Sequence, residues 1–165
     1  MSQLTLNSQL KALKNLSRPA GIELATLTRY DIPALAALYV VAYDSPETAE
    51  VLYEAVDEMR MSFNGEFGKP LDNSYVGAWH EGDLVGAILV TIGTPWDDSD
   101  KSPYIVDLMV HPDFRGRGIA TALIGEAAKR VGAAGYRDIG LQIDLREAKD
   151  AARLYDYLGF EEINV

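Results

Sequence analysis

Residues 115–120 read Arg115-Gly116-Arg117-Gly118-Ile119-Ala120, and few short stretches constrain a fold so tightly. Just before them, residues 104–110 (Tyr-Ile-Val-Asp-Leu-Met-Val) are apolar on both faces apart from Asp107, which predicts a central strand. Just after them, Leu123, Ile124, Ala127 and Val131 recur at helical spacing, which predicts a helix over 118–131 closed by Gly132 and Gly135. Two glycines at a strand-to-helix joint let the backbone turn tightly and approach a ligand closely. The unpaired N–H groups of the helix start then point into one volume, and the helix dipole adds partial positive charge there. Arg115 and Arg117 add full charges, so the joint suits an anion as large as a diphosphate.

The rest of the chain predicts a frame around this joint. Residues 21–28 read as a first strand. A helix follows with Asp31 as N-cap and Pro33 in its first turn, burying Leu35, Leu38, Tyr39 and Ala42. A second helix runs from a Ser45 cap to about Phe63. Residues 64–73 have turn chemistry and read as loop. Residues 74–92 form a hairpin turning at Glu81-Gly82-Asp83, and a polar loop with Trp96 leads into the 104–110 strand. Residues 138–145 are a strand, 146–160 a helix closed by Gly159, and 160–165 a short last strand. The strand, helix and strand over 104–145 make one parallel crossover unit, while the hairpin is antiparallel. The expected class is α/β (α+β): a mixed sheet with helices on both faces. In residues 1–20, Leu6, Leu10, Leu13 and Leu16 at helical spacing predict a docked amphipathic helix ahead of a single domain over 21–165.

Three kinds of phosphate loop compete for residues 115–121. A Walker loop needs Gly-Lys-Ser/Thr, but Gly118 is followed by Ile119 and Ala120. A dinucleotide fold needs a third glycine and an early βαβ position, and Thr121 stands where that glycine would be. The third pattern, Arg/Gln-x-x-Gly-x-Gly/Ala, is met in full by Arg115, Gly118 and Ala120. A second motif lies downstream in Leu154-Tyr155-x-x-x-Gly159-Phe160. With these two motifs in this order, the chain over 21–160 resembles the GCN5-related N-acetyltransferase (GNAT) family.

The resemblance implies a mostly antiparallel sheet splayed at the fourth and fifth strands, residues 104–110 and 138–145. It implies acetyl-CoA as cosubstrate. Its diphosphate would lie on the amides of Arg115, Gly116, Arg117, Gly118, Ile119, Ala120 and Thr121, and its pantetheine arm along Leu108, Met109 and Val110. An acetyl group would pass to an amine by direct attack in a ternary complex. A coenzyme-binding module without catalysis is the alternative. The family's tyrosine implies that Tyr155 protonates the leaving thiolate; on spacing alone a core tyrosine is equally compatible. The family's asparagine early in that helix is replaced by Ala148.

The general base has several candidates. Asp107 is the only charge in its strand, and burial would raise its pKa toward a base's working range. A carboxylate satisfied by neighbouring backbone is the competing reading. A water chain, Tyr104 or His111 are other routes, and a backbone N–H near Met109 is the candidate oxyanion donor. In the fold the family implies, the acceptor would meet the first two helices and the loop after the hairpin. Those segments carry Tyr39, Tyr43, Tyr53, Glu54, Asp57 and Glu58, then Trp96, Asp97 and Asp98. Acids mixed with aromatics suit a cationic amine, on a small molecule or a peptide.

A net charge of −10 argues against nucleic acid as partner. No apolar run reaches membrane-spanning length, the absence of cysteine excludes thiol chemistry and fits a cytoplasmic protein, and no metal site is expected. Few residues follow Phe160, so the sheet edge there needs cover from residues 1–20 or from a second copy in a homodimer.

Overall fold

The computed structural model describes residues 3–9, 18–94, 101–144 and 161–162. Its strands are β1 (Gln3–Gln9), β2 (Glu23–Thr26), β3 (Lys69–His80), β4 (Asp83–Ile92), β5 (Pro103–Val110), β6 (Asp138–Asp144) and β7 (Glu161–Glu162). Its α-helices are α1 (Ile32–Ala42), α2 (Ala49–Phe63) and α3 (Ile119–Ala133). One sheet holds all seven strands in the order β2-β3-β4-β5-β6-β1-β7. Every pairing is antiparallel except β5 with β6. That parallel contact is brief, joining Tyr104 to Gly140 and Ile105 to Leu141, and the rest of the two strands diverge. The expected splay between these strands is therefore present, at the point where β5 leads into the glycine loop.

Alternation along β3 and β4 supplies both cores. Val76, Ala78, Ile88 and Val90 pack with Ile119, Leu123, Ile124 and Ala127 of α3. Tyr75, Ala87 and Leu89 pack with Leu35, Leu38, Ala55 and Met59 of α1 and α2. Successive strand residues point to opposite faces, so α3 covers one side of the sheet and α1 with α2 the other. A close approach at Gly86 seats α3. A Cβ there would lie 2.9 Å from Ile119 Cγ2 and 3.2 Å from Leu123 Cδ1. Gly86→Val should overpack this contact by about 1–3 kcal/mol. At roughly 2–4 °C per kcal/mol for a chain of this size, the melting temperature should fall by about 2–12 °C. Differential scanning calorimetry checks this, and an unchanged transition would mean α3 does not sit where Gly86 places it.

The structure corrects several sequence expectations. Residues 3–9 are a strand, not the first part of a helix, and β1 lies between β6 and β7 with seven residue pairs to β6. The polar/apolar alternation Gln3-Leu4-Thr5-Leu6-Asn7 has the strand period of two, which the wider leucine spacing obscured. Leu10, Leu13 and Leu16 lie outside the described residues. The edge of β6 is thus paired within the chain. Thr48, not Ser45, caps α2, its hydroxyl accepting the Val51 N–H at 3.2 Å. Asp31 closes a capping box with Thr28 around a short 3-10 turn and makes no side-chain cap to α1. Residues 69 and 70, expected as loop, already pair with Ile92 and Thr91. An excursion over 71–74 follows, pinned by Ser74 Oγ, which accepts the Leu71 N–H and donates to the Val90 carbonyl.

Candidate active site

The loop between β5 and α3 is shaped for a ligand's approach. Gly116 and Gly118 both have positive φ, 76° and 83°. Among the described residues, a Cβ on either would meet no atom within 4 Å. Packing against the described residues therefore does not require glycine here; the left-handed backbone conformation does. Gly118 is the N-cap of α3, and the first intrahelical bond of that turn is Ala122 N–H to the Gly118 carbonyl, 3.0 Å. The amides of Ile119, Ala120 and Thr121 precede it and have no intrahelical acceptor. These observations fit the residues to a diphosphate.

The two arginines behave differently from a pair of phosphate ligands. Arg115 donates from Nη2 to the Ala42 carbonyl at 2.6 Å and from Nε to the Val110 carbonyl at 3.2 Å. It is a strut between the end of α1 and the end of β5. The Arg117 guanidinium lies 4.9 Å from the centre of the Phe114 ring. His111 is also structural, its Nδ1 accepting the Asp113 N–H at the start of the turn.

A bulge in β5 creates the second half of the site. Leu89 pairs with Asp107, but the next residue of β4, Val90, pairs with Ile105, so Val106 is extra. Ile105 and Leu108 pack on the α3 side, Val106 and Met109 on the α1–α2 side. Strict alternation from Ile105 would send Asp107 into the α3 core; the inserted residue turns it to the other face. There the Tyr43 hydroxyl donates to Asp107 Oδ1. Tyr43 is held by the way α1 ends. Asp44 takes a left-handed φ of 52°, and Ser45 N–H bonds back to the Val40 carbonyl at 2.9 Å.

Asp107 and Tyr43 open on a cleft of about 400 Å³ also lined by Tyr39, Glu58, Phe67 and Tyr104. Tyr39 and Tyr43 stand with ring centroids 4.8 Å apart, tilted by 55°. Burial raises the Asp107 pKa to about 6; the bond from Tyr43 pulls it down, Glu58 pushes it up, and the Leu108 N–H pulls it down. Burial, then a hydrogen bond to Glu58 and the nearby negative charges, keep the Tyr39 phenol protonated well above its ordinary range. Burial likewise holds the Tyr104 phenol in its neutral form. The cleft thus pairs two tyrosines with two carboxylates, Tyr43 with Asp107 and Tyr39 with Glu58.

The match to known proteins covers the same elements. The model of the acetyltransferase (GNAT) family matches residues 32–160. The chain belongs to the GNAT family. A curated relative, an acetyltransferase of Pectobacterium atrosepticum, is 39% identical over 84 residues, 50% of this chain and 54% of that protein. The chain spans about half, or less, of the length of the curated relatives it matches. Among solved structures, a GCN5-related N-acetyltransferase from Sphaerobacter thermophilus superposes with a TM-score of 0.74 at 21% identity, covering 98% of this chain and 48% of that one. Another, AAC(6')-Iy solved with the bisubstrate analog CoA-S-monomethyl-acetylneamine, gives 0.63 at 18% identity, covering 87% and 93%. These likenesses show a GNAT fold.

Within that GNAT fold, the expected site residues divide into three sets. Tyr39, Tyr43 and Asp107 meet in one cleft. Leu108, Met109 and Val110 lead from it directly into the loop of Arg115 to Thr121. Tyr155, Trp96, Asp97 and Asp98 lie outside the described residues. Of the α2 candidates, Tyr53, Glu54 and Asp57 are exposed, and Asp57 pairs with Arg60 at 2.6 Å. Glu58 alone of those acids turns inward. Its place next to the buried Met59 and one turn before the buried Ser62 was the available signal. Phe67 was not anticipated, because its segment reads as loop.

Proposed function

We propose that this GNAT protein moves an acetyl group from acetyl-CoA to a primary, cationic amine. The observation that carries the reading is the single strand β5. Its bulge presents Asp107 to an acidic, aromatic cleft, and its end opens into the glycine loop of α3. The loop amides and the α3 dipole would hold the diphosphate, and 108–110 would hold the arm that brings the thioester toward Asp107. The amine arrives as an ammonium attracted by Asp107 and Glu58. Asp107 accepts its proton. The nitrogen then attacks the thioester carbonyl and the C–N bond forms; as the C–S bond breaks, the nitrogen gives up its second proton, which replaces the one the departing thiolate takes. The thiolate leaves and takes a proton, for which the Tyr155 hydroxyl is the proposed source. With a pKa of about 6, Asp107 is roughly nine-tenths ionised at pH 7 and ready to accept.

A turnover screen of amines with acetyl-CoA tests the reaction. Coenzyme binding without turnover of any amine would support a binding module instead. The pH profile tests the base. The acid limb of kcat/KM should fall near pH 6, because activity needs the ionised carboxylate. Tyr43→Phe removes a bond that favours the ionised form, so the limb should move to higher pH. Glu58→Gln removes a negative neighbour that disfavours it, so the limb should move to lower pH. Shifts in the same direction for both variants would assign the limb to another group.

A further inference from the structure

The cleft holds more negative charge than one acetyl transfer uses. Glu58 and Asp107 both line it, and its described lining includes no lysine, arginine or histidine. In the proposed reaction, Asp107 and the reacting ammonium neutralise each other by proton transfer. Glu58 takes no part in that exchange. Its contact is the Tyr39 hydroxyl, a neutral donor that leaves the carboxylate charge in place. A monoamine would therefore react beside a carboxylate that no described lining residue compensates, in a partly desolvated cleft, which is unfavourable. A second ammonium removes that imbalance.

The walls suit what would join two ammonium groups. Met59, Phe67 and Val106 are apolar, so they favour methylenes over a polar linker. Tyr39 and Tyr43 line the cleft beside the two carboxylates, and aromatic rings attract a cation. We infer that the acceptor is an aliphatic diamine, with Asp107 taking the reacting nitrogen and Glu58 holding the distant one as an ammonium. The inference rests on the acetyl-transfer reading for its reaction but not for its binding. Glu58 then acts as the residue that sets specificity.

The test compares 1,4-diaminobutane, butylamine and 4-aminobutanoate as acceptors with acetyl-CoA. The diamine should exceed butylamine at least about tenfold in kcat/KM, and 4-aminobutanoate should be the poorest, since it brings a carboxylate to Glu58. Glu58→Gln should raise KM for the diamine about tenfold, keep most of its kcat, and pull the diamine-to-butylamine ratio toward one. Equal use of diamine and monoamine by the unaltered protein would overturn the inference and leave acetyl transfer standing. So would an equal loss for both in Glu58→Gln. If no amine is turned over, calorimetric titration decides separately. Binding of 1,4-diaminobutane that butylamine does not match and Glu58→Gln abolishes would uphold it; absence of diamine binding would refute it.

Discussion

Asp107→Asn should lower kcat by about 10²–10⁴-fold while changing acetyl-CoA affinity by less than about threefold. The substitution keeps the size of the side chain and an oxygen that can accept the Tyr43 hydroxyl. What it removes is the proton acceptor. The glycine loop lies beyond the far end of β5, so coenzyme binding is left in place. Stability moves the other way. The Asp107 pKa in the folded protein, about 6, lies above its ordinary 3.8. Its contribution to stability is therefore fully present below about pH 3.8 and is lost as pH rises through about 6. The Asn variant has no such loss, so at neutral pH it should melt at the same temperature or higher. Steady-state kinetics, calorimetric coenzyme binding and a melting curve read the three effects together. A variant that keeps kcat within tenfold would remove Asp107 as the base. One that is inactive but unfolded would say nothing of chemistry, which is why melting is measured alongside.

Removal of residues 1–9 should cost most of the cooperative fold. The strand is internal to the sheet: seven of its residues pair with β6 and two with β7. Without it, β6 exposes a full row of backbone donors and acceptors, and β7 loses its described pairing partner. Ile139 and Leu141, both fully buried, belong to that newly exposed strand. The truncated chain should aggregate or melt at least about 10 °C lower. Leu6→Pro is a gentler version, because Leu6 pairs with Leu141 on one side and Glu162 on the other. Proline removes a ladder donor there, at about 1–3 kcal/mol, so melting should fall by roughly 2–12 °C. An unchanged melting curve in the truncated chain would show that β1 does not occupy this position.

Local chemistry explains which parts of the fold were legible in the sequence. Residues 115–120 announce their structure because glycine conformation, helix periodicity and a strand apolar on both faces all agree there. The hairpin at Glu81-Gly82-Asp83 is equally plain, since Glu81 and Gly82 both take positive φ. The role of β1 was hidden because a strand is defined by its neighbours, and those neighbours are far away in sequence. Asp107 stood out as a lone charge in an apolar strand, but the bulge that aims it at Tyr43 has no sequence signature. Val106 looks like any other strand residue. The strut made by Arg115 was hidden for a related reason. Its charge is visible in the sequence, whereas the carbonyls of Ala42 and Val110 that hold it are brought together only by folding.

The placement of β1 also sets an order in time. Its residues precede nearly all the rest of this sequence, yet the strand they pair with lies about 135 residues further on. At ordinary synthesis rates of about 5–20 residues per second, this apolar-polar ribbon waits roughly 7–27 s before β6 exists. Throughout that interval it is an unpaired strand in search of an edge. The earlier strands β2 to β5 can assemble as an antiparallel meander without it. Completion of the sheet is therefore a late, long-range event joining two segments more than a hundred residues apart. The folding rate of this protein should be governed by that closure rather than by the helices and hairpin that surround the active site.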